Sequence, residues 1–258
     1  MQNKVSKTKK YFVKLAVLLL RLGVWQGAYM IVSKDILLVS PLTVFQRLCA
    51  MAVTSVFWKS VLFTFLRITF GFVLGLFFGT LLAVLTVSSS FLRELFRPVI
   101  SLIKATPVAS FIILALVWIK KDSVPIFITF LMVLPIIWAN VSEGIMSTDK
   151  GLLEMARVFE FSRTKKLRLI YFHSVLPFLA AGSTTAMGLA WKAGVAAEVI
   201  AMSNNSIGYN LYRSKINIET ADLFAWTAVV ILLSVILEKV IRGLLKKYSR
   251  RTKDVKAQ

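Results

Sequence analysis

Few side chains in this sequence are of the kind that does covalent or metal chemistry. There is one histidine, His173, and one cysteine, Cys49. A single histidine makes a His cluster impossible. A single cysteine excludes an internal disulfide framework or a Cys-based metal site. The pattern G-x-x-x-x-G-K-[ST] is absent, so ATP has no phosphate loop here. The chemistry that remains is that of isolated charges. Arg67, Lys104, Lys192 and Glu198 interrupt apolar runs, where ionisable groups are costly and face protein or water. Arg67, Lys192 and Glu198 read in two ways. They are snorkelling or paired structural charges, or they bias a path toward an anionic solute.

A second group lies in Asp149-Lys150-Gly151-Leu152-Leu153-Glu154-Met155-Ala156-Arg157-Val158-Phe159-Glu160-Phe161-Ser162. Asp149 is suited to cap a helix. Leu152, Leu153, Ala156 and Phe159 then share a stripe at i, i+1, i+4 and i+7. Glu154, Arg157 and Glu160 fall mainly on other faces. Ser162 can open a second, basic helix over Arg163–Tyr171, with Leu167, Ile170 and Tyr171 on one side. Two short amphipathic helices need a cover for their apolar stripes. The chain's own bundle end or the groove of another protein would serve equally.

The elements that position these residues follow from composition. The chain has 258 residues, 57% hydrophobic and 17% charged, against about 45–50% and about 25% in soluble domains. Its net charge of +20 would suit nucleic acid, but the basic residues lie between and beyond long apolar runs. That is the pattern of a membrane protein, not of a nucleic-acid binder. A hydrocarbon core about 30 Å thick needs about 20 apolar helical residues. Six segments qualify, at 11–32, 61–87, 99–119, 124–141, 175–201 and 223–245. The first follows Lys4, Lys7, Lys9 and Lys10 but ends without a small-residue cleavage site, so it reads as a retained span. Lys120-Lys121-Asp122-Ser123 joins the third and fourth in a tight hairpin.

Alternate loops carry 20 Lys and Arg against 7. This bias places both termini in the cytoplasm of a multi-pass membrane protein. The expected organisation is a tail, first span and external loop (1–60), a core membrane domain (61–245) enclosing the cytoplasmic loop 142–174, and a basic tail (246–258) that either lies against anionic lipid or is a stop-transfer flank with no partner. Ser40-Pro41-Leu42-Thr43 can open an interfacial helix in the external loop. Gly71, Gly75 and Gly79 recur every four residues in the second span, and Gly182, Ala186, Ala190 and Gly194 in the fifth. Small residues at that spacing let helix backbones approach closely. Each stripe is either packing within one bundle or a moving seam at a dimer axis.

At the cytoplasmic loop the sequence resembles the membrane subunits of bacterial ABC importers. Their signature is E-A-A, three residues, G, nine residues, then I-x-L-P. Glu154 and Ala156 match it, with Met155 between them, and Ile170 is in register. Leu176-Pro177 follows slightly later. Arg67-Ile68-Thr69-Phe70-Gly71-Phe72-Val73-Leu74-Gly75 resembles the start of the family's core domain. Lys104-Ala105-Thr106-Pro107 and Gly188-Leu189-Ala190-Trp191-Lys192-Ala193-Gly194-Val195-Ala196-Ala197-Glu198 are similar to the nitrate, sulfonate and taurine branch.

The resemblance implies an all-α type I (MetI-like) permease fold with six spans and a coupling loop. It implies two permease copies, a separate ATPase that binds ATP and Mg, an extracytoplasmic solute-binding protein, and no cofactor on this chain. It assigns Gly151, Leu152, Glu154, Ala156, Arg157, Phe159, Glu160 and Ser162 to ATPase coupling. From their charge or spacing, Arg67, Gly71, Gly75, Gly79, Gly188, Lys192, Gly194 and Glu198 are read as belonging to the path or to helix packing. The implied solute is a small anion such as a sulfonate, taurine or nitrate. Related systems carry cofactor precursors.

Two positions depart from the signature: Glu160 stands where it has glycine and His173 where it has proline. A glutamate with positive φ is strained, so the turn takes another geometry or the partner offers Glu160 a basic patch. Without proline at 173 the second short helix is expected to run on toward Ser174. A rival reading, an ion-coupled secondary transporter, needs acidic intramembrane sites beside broken helices. Glu198 is the single acidic candidate well inside a span. An intramembrane enzyme needs a nucleophile–base pair or metal ligands, which one loop histidine does not supply.

Overall fold

The computed structural model describes residues 2–254. The side chains of Lys4 to Lys10 and of the run Lys246 to Arg251, read above as charged flanks, lie outside the described residues. The elements are helices throughout: α1 (Gln2–Val32), α2 (Pro41–Ala52), α3 (Ser55–Ser88), α4 (Ser90–Ala105), α5 (Val108–Ala115), α6 (Val124–Met146), α7 (Lys150–Val158), α8 (Arg163–Lys166), α9 (Phe172–Ala201), α10 (Ile207–Ile216) and α11 (Thr220–Asp254). An all-helical chain is what lipid demands, since helices satisfy their backbone polar groups internally.

Among the described residues, four helices are long and apolar enough to cross a membrane: α3, α6, the run Arg163–Ala201, and Thr220–Val240 of α11. The pair α4 and α5 would make a fifth. In α1 the described apolar stretch is shorter, Leu19–Val32.

The third predicted span, 99–119, is not one helix. α4 and α5 meet at a bend of 103°. The cause is local. Thr106 precedes Pro107, whose ring disfavours helical ψ at the residue before it, and Thr106 is extended at φ −82, ψ 131. Its Oγ1 instead donates to Leu102 O at 2.8 Å.

Two compact units emerge. One comprises the chain up to Trp58 together with Asn210–Val229. Here Ser40 Oγ accepts the Thr43 amide at 3.1 Å and opens α2, as the Ser-Pro-Leu-Thr pattern predicts. Trp25 Nε1 donates to Val39 O at 3.1 Å, and the Phe57 and Trp226 rings stack at 5.4 Å. Arg47 of α2 forks onto Asp222, with Nη2 donating to Oδ2 at 2.9 Å. The Asp222 carboxylate raises the Arg47 guanidinium pKa above its ordinary value.

The other unit comprises Lys59–Tyr209 and the chain from Val230 onward. Its centre is α6, whose Val124, Ile128, Thr129, Val133 and Ile137 are fully buried. A Cβ on Gly75 would lie 2.6 Å from Val133 Cβ, and one on Gly79 2.9 Å from Ile137 Cβ. From α9, a Cβ on Gly182 would lie 2.8 Å from Asn140 Cβ, and one on Gly194 2.6 Å from Ile68 Cγ1. Both small-residue stripes therefore let α3 and α9 press on the chain's own core. Gly188 differs: the nearest atom to a Cβ there is Glu238 Oε1 at 3.6 Å, an ordinary contact.

Candidate functional site

The acidic–basic segment folds as its local signals direct. Asp149 Oδ1 accepts the Gly151 amide at 2.7 Å and starts α7. At the other end of α7 the Phe161 amide donates to Ala156 O at 2.9 Å and the Glu160 amide to Arg157 O at 3.1 Å. That 6→1 and 5→2 pairing is a Schellman cap. It requires a left-handed residue, and Glu160 supplies it at φ 50. The turn therefore keeps the geometry that a glycine would give, at a strain of about 1–2 kcal/mol for an L-residue with a side chain. The next residue is pinned as well: Lys165 Nζ lies 4.1 Å from the Phe161 ring centroid.

Ser162 Oγ accepts the Lys165 amide at 3.3 Å and opens α8. No break follows. A π-type turn, Leu167–Tyr171, joins α8 to α9, so Arg163–Ala201 is one helical run of 39 residues. With His173 in place of proline the helix runs past Ser174, and it continues through Pro177. A π-type turn is a common way to absorb a local mismatch within a helix.

The two faces of α7 differ from the predicted stripe in one respect. Ala156, expected to contact a partner, is fully buried within the chain. Its methyl group therefore seats α7 and is not available at a surface. Val158 is 79% exposed and Phe159 69%, with Leu152 and Met155 also exposed. Gly151, Glu154, Arg157, Glu160 and Ser162 are exposed too. Met155 and Val158 were not in the predicted stripe; they follow Leu152 at i+3 and i+6 on the face of α7 that stays exposed.

Far along the same helical run lies a buried polar cluster. Glu198 is fully buried, and its Oε2 accepts from Thr64 Oγ1 at 2.8 Å and from the Gly208 amide at 3.2 Å. Thr64 Oγ1 in turn accepts the Ile207 amide at 3.0 Å. The first turn of α10 is thus capped by side chains from α3 and α9, and a carboxylate suits the positive end of a helix dipole. Arg67 stands over the group: Nη1 is 3.7 Å from Glu198 Oε1 and donates to Asn204 O at 3.0 Å, while Nη2 meets Asp122 Oδ1 at 3.3 Å. Asp122 also accepts the Asn204 amide at 2.6 Å.

The cluster brings two of the three charges together. Arg67, only 12% exposed, and Glu198 do not snorkel; they pair with each other. Burial of an unpaired charge costs far more than burial of a paired one. Lys192 is not brought to them and stays exposed on α9. Thr64, Asp122, Asn204 and Gly208 escape sequence reasoning. The faint signals were Asp122 in the Lys-Lys-Asp-Ser hairpin and the Ser203-Asn204-Asn205-Ser206 turn, both typical turn residues. The arrangement holds backbone and balances charge; it presents no nucleophile beside a base.

Comparison with known proteins accords with this geometry. The sequence profile of the family described as binding-protein-dependent transport system inner membrane component matches residues 71–254. The nitrate import permease protein NrtB of Synechococcus elongatus is 27% identical over 220 residues, 81% of this chain and 78% of its own. Among solved structures, the MetNI methionine ABC transporter in inward-facing conformations superposes with a TM-score of 0.57 at 18% identity, covering 75% of this chain and 93% of that one. A bacterial alginate ABC transporter, in complex with an alginate pentasaccharide-bound periplasmic protein, superposes with a TM-score of 0.57 at 14% identity, covering 98% of each chain. Both likenesses concern the fold.

Proposed function

Because this chain belongs to the family of binding-protein-dependent transport system inner membrane components, we propose that the turn Asp149–Ser162 is the socket through which a separate ATPase drives it. The chain is a membrane-embedded ABC importer permease with the type I fold. The observation that carries the proposal is the set of exposed apolar side chains along α7 and its C-cap, Leu152, Met155, Val158 and Phe159. They sit on a turn fused without a break to α9. An apolar patch held outside the membrane is a docking surface before it is anything else.

On this reading ATP and Mg bind the ATPase, and this chain supplies the mechanical response. Movement of α7 pulls on Ser162 and so on the helical run. From Arg163 to Glu198 that run has a contour of about 53 Å, at about 1.5 Å per residue. Its far end holds the cluster that ties α3, the 120–123 turn and the start of α10. A pull at one end therefore bears on the polar ties at the other. Leu152, Met155, Val158 and Phe159 make the apolar contact, Glu154 and Arg157 the polar one, and Ala156 and Asp149 hold the shape. The excess of Lys and Arg on alternate loops sets both termini in the cytoplasm. An extracytoplasmic solute-binding protein and a second permease copy complete the assembly.

The solute we propose is a small anion such as nitrate, a sulfonate or taurine. NrtB, whose name states nitrate import, supports that class. Arg67 is neutralised by Asp122 and Glu198, whereas Lys192 stays exposed on α9 and is the cation we assign to attracting an anion.

Cysteines placed at Val158 or Phe159 in a Cys49→Ser background test the socket. In membranes they should crosslink to the ATPase and block ATP-driven uptake. Glu154→Arg should insert normally and lose solute-stimulated ATP hydrolysis. Full uptake after quantitative modification at 158 and 159, with no second polypeptide captured, overturns the reading.

A further inference from the structure

We propose that Glu160 recognises a cationic side chain, arginine or lysine, on the partner ATPase, and so selects which ATPase this permease accepts. The inference rests on the socket reading and adds the chemistry of the partner. Three observations support it. First, Glu160 occupies the left-handed position of the cap at φ 50. Glycine fits that position without strain, so the fold gives no reason for a glutamate. Second, the carboxylate is exposed, and among the described residues no hydrogen bond or ion pair engages it. This is so although Arg157, Arg163, Lys165, Lys166 and Arg168 all lie within the same segment. Lys165 is directed onto the Phe161 ring instead.

Third, Glu160 borders the exposed Val158 and Phe159. The surface offered is an apolar patch with one negative charge at its edge, set in a basic surround. Its complement is an apolar cleft with one cation at the rim. A cation there gains from a carboxylate that the strained backbone already holds outward, with little ordering left to do on binding. Such rim charges govern partner choice and association rate more than raw affinity. A partner with an acidic rim would be repelled by Glu160, which makes the residue a discriminator between related ATPases.

The experiment uses the full tagged permease in nanodiscs and the ATPase subunit from the same genome that co-purifies with it. Association is followed as a function of salt for the parent, Glu160→Gln, Glu160→Gly and Glu160→Lys. Glu160→Gln should weaken association about fivefold at low salt and flatten its salt dependence, because the charge pair is screened over about 10 Å at 0.1 M salt. Glu160→Lys should weaken it at least tenfold. Glu160→Gly should melt no lower than the parent yet bind as poorly as Glu160→Gln, which separates loss of charge from loss of fold. Equal affinity and equal salt slope for the parent and Glu160→Gln overturn this inference and leave the socket standing. If no ATPase associates with the parent at all, the socket reading itself fails, and this inference with it.

Discussion

The two ends of the Arg163–Ala201 run solve opposite problems with the same kind of residue. At the membrane end, Glu198 is buried, its Oε2 accepts from Thr64 and the Gly208 amide, and Arg67 pairs with it at 3.7 Å. At the loop end, Glu160 is exposed and held by a strained backbone, with basic residues close in sequence and none engaged. One carboxylate is spent on holding helices together. The other is kept free. The contrast teaches that charge in a membrane protein is read from its surroundings. Burial makes a partner compulsory, whereas exposure leaves the charge available to something outside the chain.

The comparison can be broken most severely at Arg67. Arg67→Met leaves Glu198 and the Asp122–Asn204 turn without their cation, and should cost about 3–5 kcal/mol, as for breaking a buried pair. Thermal unfolding in detergent measures it. In a double-mutant cycle, Glu198→Gln added to Arg67→Met should recover a large part of the loss; simple additivity would show that the two do not pair. The next largest effect belongs to the packing that brings α9 to the cluster. Gly194→Val drives a side chain into Ile68 and Thr129, and should cost about 1–3 kcal/mol by overpacking. An unchanged melting temperature would mean that the helices part easily there.

The loop end should respond more mildly. Asp149→Ala removes the cap of α7 and should cost about 1 kcal/mol. It should show as faster hydrogen exchange at Gly151, with the melting temperature of the whole protein hardly moved. Equal protection in parent and variant would remove Asp149 from its capping role. The smallest effect has the opposite sign. Glu160→Gly should stabilise by about 1 kcal/mol or less, the relief of left-handed strain offset by the greater freedom of glycine in the unfolded chain. A destabilisation would show that the Glu160 side chain makes intramolecular contacts that the fold needs.

Much of the loop was legible because its signals are local. Asp149 and Ser162 cap the helices that follow them, and the glycine position of the signature keeps its left-handed φ even when glutamate fills it. The replacement of proline by His173 foretold an unbroken helix. The 103° bend at Thr106-Pro107 was signalled by the proline itself, but a run of apolar residues over 99–119 outweighed it. Hydropathy counts residues and carries no information on backbone direction. The buried cluster was hardly legible. Arg67 and Glu198 stood out as charges in apolar runs, yet nothing in their spacing tied them to Asp122, Asn204 or Gly208.

Hydropathy and small-residue spacing were enough to establish a helical membrane protein, the four spans within α3, α6, α9 and α11, and the two helix faces that pack closely. Those properties are carried by neighbours in the chain, through periodicity and local hydrogen bonding. Only the tertiary structure decided that Arg67 turns inward to Glu198, that Ala156 is sealed while Val158 and Phe159 are presented, and that residues 210–229 join the N-terminal segment. These depend on which distant surfaces meet. A side chain inside a membrane is directed by the partner that repays its desolvation, and that partner can lie anywhere along the sequence.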